Sequence, residues 1–558
     1  MRSRSLSFVA TLLLLAACTS KESVPAGGPA TGGTMVIAAI GDAVHLLPPL
    51  IVDVIGKEVG DLVYDKLAEI GPEMNTVGDK GFTPRLAKSW TWSPDSLSIT
   101  FALDPRARWH DGTPITAQDI KFSYQAFTDP KIGSPAAPLL TSIDSVQVKD
   151  SATAVVWYGK RSPSQFYDFV YQVIPIPQHV YASIPLEQLQ TSDGGRKIVG
   201  SGQFRLVRWE PSVRIEVVAD TANYRGRPKL DRVLFSMVPD GNVGMTQILT
   251  QQADFVENFP IDQIKTLDSS KVARPMVLPS LAYTFAGFNT HAQKSTSAPH
   301  PILGDVRVRR ALSMAVDRAG LMQNVFGENG RIGRGPFPMS HALADSAIKL
   351  PAYDTTAAKA LLDSAGWRVG PDGMRSKNGQ PLKFSILTPT TSLFRKAYSV
   401  LLQDQFRKIG AQTEIETLDN NAFQVRARQG AFDMLLNSFG ADAGSSAFAQ
   451  NWGTSGIGPQ GQNSLRYSNK QVDALLDSAS AAFDPAKSKS YAKRAFQTIV
   501  DDVPAIWLYD VVQVAAVHRR LNVGLIRSDG WSVDIGNWSV DPAKRIDRDR
   551  LGLATAQK

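Results

Sequence analysis

In Ser98-Ile-Thr-Phe-Ala-Leu103, the apolar residues Ile99, Phe101 and Leu103 alternate with smaller or polar neighbours, the period of a strand buried on one face. Trp109-His110-Asp111-Gly112 then turns the chain. Thr116 with Asp119 three residues on has the capping-box pattern, which predicts a helix carrying Ile120, Tyr124 and Phe127 on one side and stopped by Pro130. Thr34 to Ile40 reads as a buried first strand, followed by a helix around Val59, Leu62, Val63 and Leu67. Strands dominate from about 95 to 235, including Ala154 to Tyr158 and Val213 to Val217. The glycines of Gly200-Ser-Gly-Gln-Phe204 read as a turn that needs permissive φ.

From about residue 286 the pattern changes to alternating helices and strands. Asp305 is expected to cap one long helix with Val308, Leu312, Ala315, Ala319 and Met322 on a single face and Gly327 at its end. Leu382 to Asn437 reads strand, helix, strand, helix, strand, which is two βαβ units and predicts right-handed closure into a parallel sheet. Ligands of such sheets bind beyond the carboxyl ends of the strands, so the residues just past Asn437 are candidate contacts. Helices over Lys470 to Phe483 and Pro485 to Val500 lead into an apolar strand, Pro504 to Tyr509.

A chain of 558 residues is too long for one core, and 43% hydrophobic with 20% charged residues is a globular composition. The net charge of +8 is scattered, without the basic stripe and interleaved aromatics that would indicate nucleic-acid binding. Arg2 and Arg4 precede an apolar run from Phe8 to Ala17, shorter than a membrane-spanning helix needs, which reads as a secretory signal. Cys18 is the only cysteine, so no intrachain disulfide or cysteine-based metal site can form. Ser20 to Gly33 is polar and rich in Gly and Pro, the composition of a flexible tether.

Catalytic motifs are missing. The seven histidines are dispersed, without the i, i+4 spacing of a helical zinc site. Gly456 to Gly461 matches G-x-G-x-x-G only formally, since it holds a proline and opens no helix. Ser346-Ala-Ile-Lys349 lacks the K-T-G partner of penicillin-binding enzymes. His110 beside Asp111 offers acid–base raw material, but adjacent residues on one loop rarely converge on a substrate, so a structural turn is expected.

The segment Arg85 to Tyr124, with Val306 to Arg318, Tyr353 to Trp367 and Gly200 to Phe204, resembles the oligopeptide, dipeptide and nickel class (family 5) of solute-binding proteins that feed ABC importers. Leu15-Ala16-Ala17-Cys18 is similar to a bacterial lipobox, whose cysteine is acylated. The resemblance implies an α/β, two-lobed periplasmic-binding-protein-like fold of class II, cluster C type, with mixed and parallel sheets and an extra subdomain in the first lobe. Expected boundaries are a signal peptide at 1–17, the acylated tether at 18–33, lobe 1 at 34–285 plus 505–545 with its subdomain near 61–195, lobe 2 at 286–504, and a solvated tail at 546–558. The strand at 504–509 would return to lobe 1, with hinges near 285–289 and 502–509.

The implied function is capture of a short peptide outside the cytoplasm and its delivery to an ABC permease powered by ATPase subunits. The protein would act as a monomer without a cofactor, metal or catalytic group, held by lipid at Cys18 to the bacterial envelope. Phe439-Gly-Ala-Asp442 resembles the Trp-Cys-Ala-Asp segment of oligopeptide-binding proteins, which places Asp442 on the aspartate that pairs with the peptide amino group. Phe439, Trp452 and Tyr283 would supply aromatic platforms were the ligand a sugar, and Asn437, Asn289 and His45 complete the expected contacts. An oligosaccharide, nickel chelate or opine is the alternative ligand, and a secreted lipoprotein hydrolase the alternative class.

Overall fold

The computed structural model describes residues 31–551 except 192–195, 261–262, 294, 296–297, 441 and 459–461. The lipobox, Cys18 and most of the tether lie outside the described residues.

Two large sheets organise the chain. The first orders its strands 273–278, 513–518, 255–256, 34–40, 232–238, 214–219 and 204–210. Thr34–Ile40 runs parallel to Arg232–Val238, and both of its faces are covered: Met35, Ile37 and Ala39 enter one core, Val36 and Ala38 another. That double burial is why the strand is apolar throughout and does not alternate. The second sheet orders 331–332, 505–510, 282–288, 434–440, 383–389 and 412–418. Its last three strands are parallel, as the two βαβ units predict.

A smaller body between the first two strands of the large sheet has its own core. Strands Ala87–Trp92, Ser98–Leu103, Thr153–Tyr158 and Ile143–Asp150 form a four-stranded antiparallel sheet, with Ile99, Phe101 and Leu103 buried as their alternation predicts. Thr116 and Asp119 form the capping box that opens helix Ala117–Thr128.

Four expectations are corrected. The strand Ala505–Asp510 pairs with Ala282–Phe288 in the second sheet, and it is the next strand, Gln513–His518, that belongs to the first. The chain therefore crosses between sheets at 279–281 and 511–512, because the segments predicted as hinges are locked into ladders. The long helix after Asp305 is two helices, Val306–Met314 and Arg318–Phe326, because Asp317 caps the second through Gly320 N. Gly200 and Gly202 are required by close approach and not by φ: a Cβ at Gly200 would lie 1.9 Å from Val63 O. Finally, the charged C-terminal stretch is docked. Arg520 is buried and binds both Asp254 (2.6 Å) and Asp549 (2.5 Å), Asp549 accepts from Thr34 N (2.8 Å), and Arg548 reaches Asp254 (2.6 Å).

Candidate functional site

Beyond the carboxyl end of strand Met434–Gly440 the chain turns through Asp442, whose carboxylate accepts from Gly444 N at 2.8 Å. His341 Nε2 lies 3.2 Å from Gly444 O and donates to it, fixing the turn. Burial pulls His341 down to about 4, so it stays neutral. Asp442 is solvent-exposed, yet the surrounding protein desolvates the carboxylate and raises its pKa, against the Gly444 amide. Across from it is helix Gln165–Gln172 of the smaller body. There Asp168 is raised to about 7, first by burial and further by the charge of Asp442, with the Ser164 hydroxyl opposing. Ala443, next to Asp442, packs into the smaller body's core, and Arg161 lies 4.2 Å over the Phe483 ring. The two halves of the molecule thus touch where Asp442 stands.

The three aromatic residues are brought together, but as core. Trp452 Nε1 donates to the Tyr283 hydroxyl at 2.7 Å, and Phe439 lies edge-on to both, at 5.8 Å from Trp452 and 6.3 Å from Tyr283. Phe285 and Trp507 close the cluster. With Trp452 0% and Tyr283 1% exposed, the faces of these two rings are spent within the cluster and neither is free to stack on a sugar.

Asn289 is also structural. Its Nδ2 donates to Gly430 O (3.0 Å) and Phe432 O (2.9 Å), and its Oδ1 accepts from His291 N, so a buried side chain has its hydrogen bonds filled within the second half. Asn437, whose Oδ1 accepts from Ser438 N, lines a cavity of about 760 Å³ with Phe439, Arg428 and Arg466. His45 is half-buried in the loop after the first strand and does not line this cavity.

A second cavity, of about 650 Å³, opens beside the sheet crossing and is lined in part by Leu278, Pro279, Ser280 and Gln513. Pro48, Ile51 and Leu139 give it apolar walls, and Tyr171 separates it from Tyr167, on which Tyr171 stacks at 4.8 Å. Its charged lining is mostly paired. Lys57 binds Asp61 (2.8 Å), Arg527 binds Asp529 (2.7 Å) and Glu69 (2.8 Å), and Lys66 sits 4.3 Å over the Tyr171 ring. Asp53 caps helix Val54–Val63 through Gly56 N (2.6 Å). Glu58 and Glu257 are the exception. Glu58 is 4% exposed, accepts from Trp531 Nε1 at 2.8 Å, and is hydrogen-bonded to Glu257, carboxyl to carboxyl. Burial and the neighbouring Glu257 raise Glu58 well above the ordinary carboxylate range, and burial raises Glu257 too.

Sequence reasoning missed this pair, although Glu58 carries a signal. It occupies the stripe of Ile55, Val59 and Leu62, three residues after one and four before another, where an amphipathic helix places apolar side chains. Asp168 carries no such signal.

The turn at His110 is scaffold, as expected. His110 Nε2 donates to Gly202 O (2.8 Å) while Nδ1 accepts from Gly200 N, and Asp111 pairs instead with His179 (2.7 Å). Among the described residues, no group of three or more His, Asp, Glu or Cys is placed to hold a metal ion, and no helix is long and apolar enough to cross a membrane.

Two open sheets joined by two crossings, with a cavity at the joint, make the two-lobed architecture of periplasmic-binding-protein structures. Residues 81–461 match the bacterial extracellular solute-binding proteins, family 5 (middle), and the chain belongs to that family. It is 24% identical over 527 residues to the oligopeptide-binding protein AppA of Bacillus subtilis, covering 91% of this chain and 93% of that protein. The structure of AppA in complex with a nonapeptide superposes with a TM-score of 0.67 at 22% identity, over 91% of this chain and 99% of that one. The ABC transporter substrate-binding protein CtaP of Listeria monocytogenes gives 0.76 at 21% identity, over 92% and 100%. NikZ of Campylobacter jejuni, in complex with Ni(L-His), gives 0.70 at 22% identity, over 91% and 99%.

Proposed function

We propose that this protein captures short peptides outside the cytoplasm and delivers them to an ABC permease, making and breaking no bond itself. The observation that carries the reading is Asp442: a desolvated carboxylate at the carboxyl end of a central strand, facing the other half of the molecule, is suited to hold a peptide's ammonium group when the halves close. Membership of the solute-binding family and likeness to peptide-binding AppA support it. The burial of Trp452 and Tyr283 in the aromatic core supports a peptide over a sugar.

In this reading one moving body is built on the sheet of 34–40 with the smaller body, and returns at 513; the other spans 282–510. Ligand favours closure only through contacts made by both bodies at once. The chain acts as a monomer, anchored by acylation of Cys18 behind its lipobox. Metabolic lipid labelling should mark Cys18, and Cys18→Ser should release the protein from membranes.

Calorimetry with free-amine and N-acetylated forms of one peptide tests the Asp442 role. Asp442→Asn should weaken the free-amine peptide by on the order of 2–5 kcal/mol and leave the melting temperature of the unliganded protein unchanged. Equal affinity for the free and acetylated forms would reject it.

A further inference from the structure

The 650 Å³ cavity at the sheet crossing is walled in part by Pro48, Ile51, Val52, Val54, Leu139 and Leu278. Three of these stand exposed at its rim, Val52 at 68%, Val54 at 59% and Leu139 at 45%. Apolar side chains left uncovered around one hollow mark a place where an apolar group is to be buried. The charged part of the lining, by contrast, is already answered. Lys57 binds Asp61, whose carboxylate is further held by the Ser532 hydroxyl at 2.9 Å, and Arg527 binds Asp529 and Glu69. Lys66 stands 3.8 Å from Glu69 and 4.3 Å over the Tyr171 ring. Asp53 is taken up by the amides of Gly56 and Val44. Glu58 and Glu257, joined carboxyl to carboxyl and both raised by burial, share a proton. A charged group entering the cavity gives up its water and finds no free counter-charge, whereas an apolar group gains by the same move.

We infer that this cavity is a specificity pocket for a bulky, uncharged apolar side chain, so that the protein prefers peptides carrying such a residue near the amino end. Its volume is within the range of about 300–1,000 Å³ that small-molecule sites occupy, ample for a branched aliphatic or aromatic side chain. Full burial of a side chain of that kind is worth roughly 10- to 100-fold in affinity. One helix relates the pocket to the place where the amino end is held. In Gln165–Gln172, Asp168 feels the charge of Asp442, and Tyr171, about one turn on, lines the cavity with Tyr167 stacked on it at 4.8 Å. A peptide whose ammonium group is at Asp442 therefore has the pocket beside the first part of its course. This inference rests on the peptide-binding reading and adds a preference that the reading alone does not contain.

The test uses the full protein, tetra-alanine, and tetrapeptides in which norleucine, or lysine as its charged counterpart on a similar stem, replaces each alanine in turn. At one position near the amino end, wild-type protein should bind the norleucine member at least 10-fold tighter than both tetra-alanine and the lysine member. Two kinds of variant probe the cavity in opposite ways. The double change Val52→Ser with Leu139→Ser takes apolar surface from the rim, and Val54→Trp fills the mouth. All three positions are exposed, so neither variant opens a hole in a core. Each should reduce the ratio of norleucine to alanine affinity to below about 3-fold. Norleucine and alanine peptides binding alike to wild type, lysine matching norleucine at the preferred position, or a preference that survives both variants would overturn the pocket while leaving peptide binding intact. Failure of every tetrapeptide to bind would instead overturn the peptide reading and this inference with it.

Discussion

Trp452 donates its indole N–H to the hydroxyl of Tyr283 at 2.7 Å, inside a cluster where Phe285, Phe439 and Trp507 occupy the remaining ring faces. Such a residue acts on stability first. Trp452→Ala should cost about 3–5 kcal/mol of folding free energy, and Tyr283→Phe, which strands the indole donor, about 1–3 kcal/mol, both read by urea denaturation. A stacking platform would behave the opposite way, with stability kept and affinity lost.

Burial pushes Asp510 up to about 7, against the Met339 amide and the charges of Arg331 and Arg334. Between about pH 4 and 7 the folded state then keeps a proton that an unfolded aspartate, near 3.9, has released. Because the native state binds more protons in that window, stability falls as pH rises through it. Asp510→Asn should raise stability at pH 8 by on the order of 2–4 kcal/mol and change it little at pH 4. Parallel denaturation curves for wild type and variant across that range would refute the assignment. Asp433 works in the other direction: although burial opposes it, hydrogen bonds from His300, Gln293 and Ser385 N hold it down to about 2, so its contribution is present above pH 4 and lost on acidification towards 2.

The ion cluster at the C-terminal end predicts a sharp contrast between two arginines. Arg520→Met leaves Asp254 and Asp549 buried without their shared partner and should cost about 3–5 kcal/mol. Arg307, exposed beside Asp305, should change stability far less when replaced, because its ion pair is screened by solvent. Ending the chain at residue 545 removes Arg548 and Asp549 and should lower the melting temperature measurably. A truncated protein as stable as the full chain would show that this end contributes nothing.

Spin labels placed in pairs, one on the body built from the first sheet and one on helix Pro485–Asp502, should approach each other when a bound peptide is added. Labels paired within the second sheet, across Ala282–Phe288 and Ala505–Asp510, should keep their spacing. Movement inside that sheet would return the hinges to the strands themselves.

What could be read in advance was what is local. Ser98–Leu103, the Thr116–Asp119 cap and the βαβ run after Leu382 are written in patterns a few residues long, and those elements formed as expected. Which sheet receives an apolar strand is not written that way. Ala505–Asp510 and Gln513–His518 are both almost fully buried and nearly contiguous, so hydrophobicity cannot say where one sheet ends and the next begins. That Asp442 lies beyond the end of a parallel strand was legible from the βαβ run. Trp452 could not be told from an exposed aromatic, since composition is blind to what covers a ring. The charges near Asp549 looked solvated because their partners, Asp254 and Arg520, lie far away in sequence.

The two crossings at 279–281 and 511–512 lie next to each other, since Leu278 is paired with Gln513 on one side and Tyr283 with Asp510 on the other. A single tether would let one body swivel about its own axis, but two adjacent strands resist torsion and leave bending as the soft coordinate. If the halves close on a ligand as proposed, their relative position would be described mainly by one angle. A permease would then have a single number to read, whatever side chains the cargo carries.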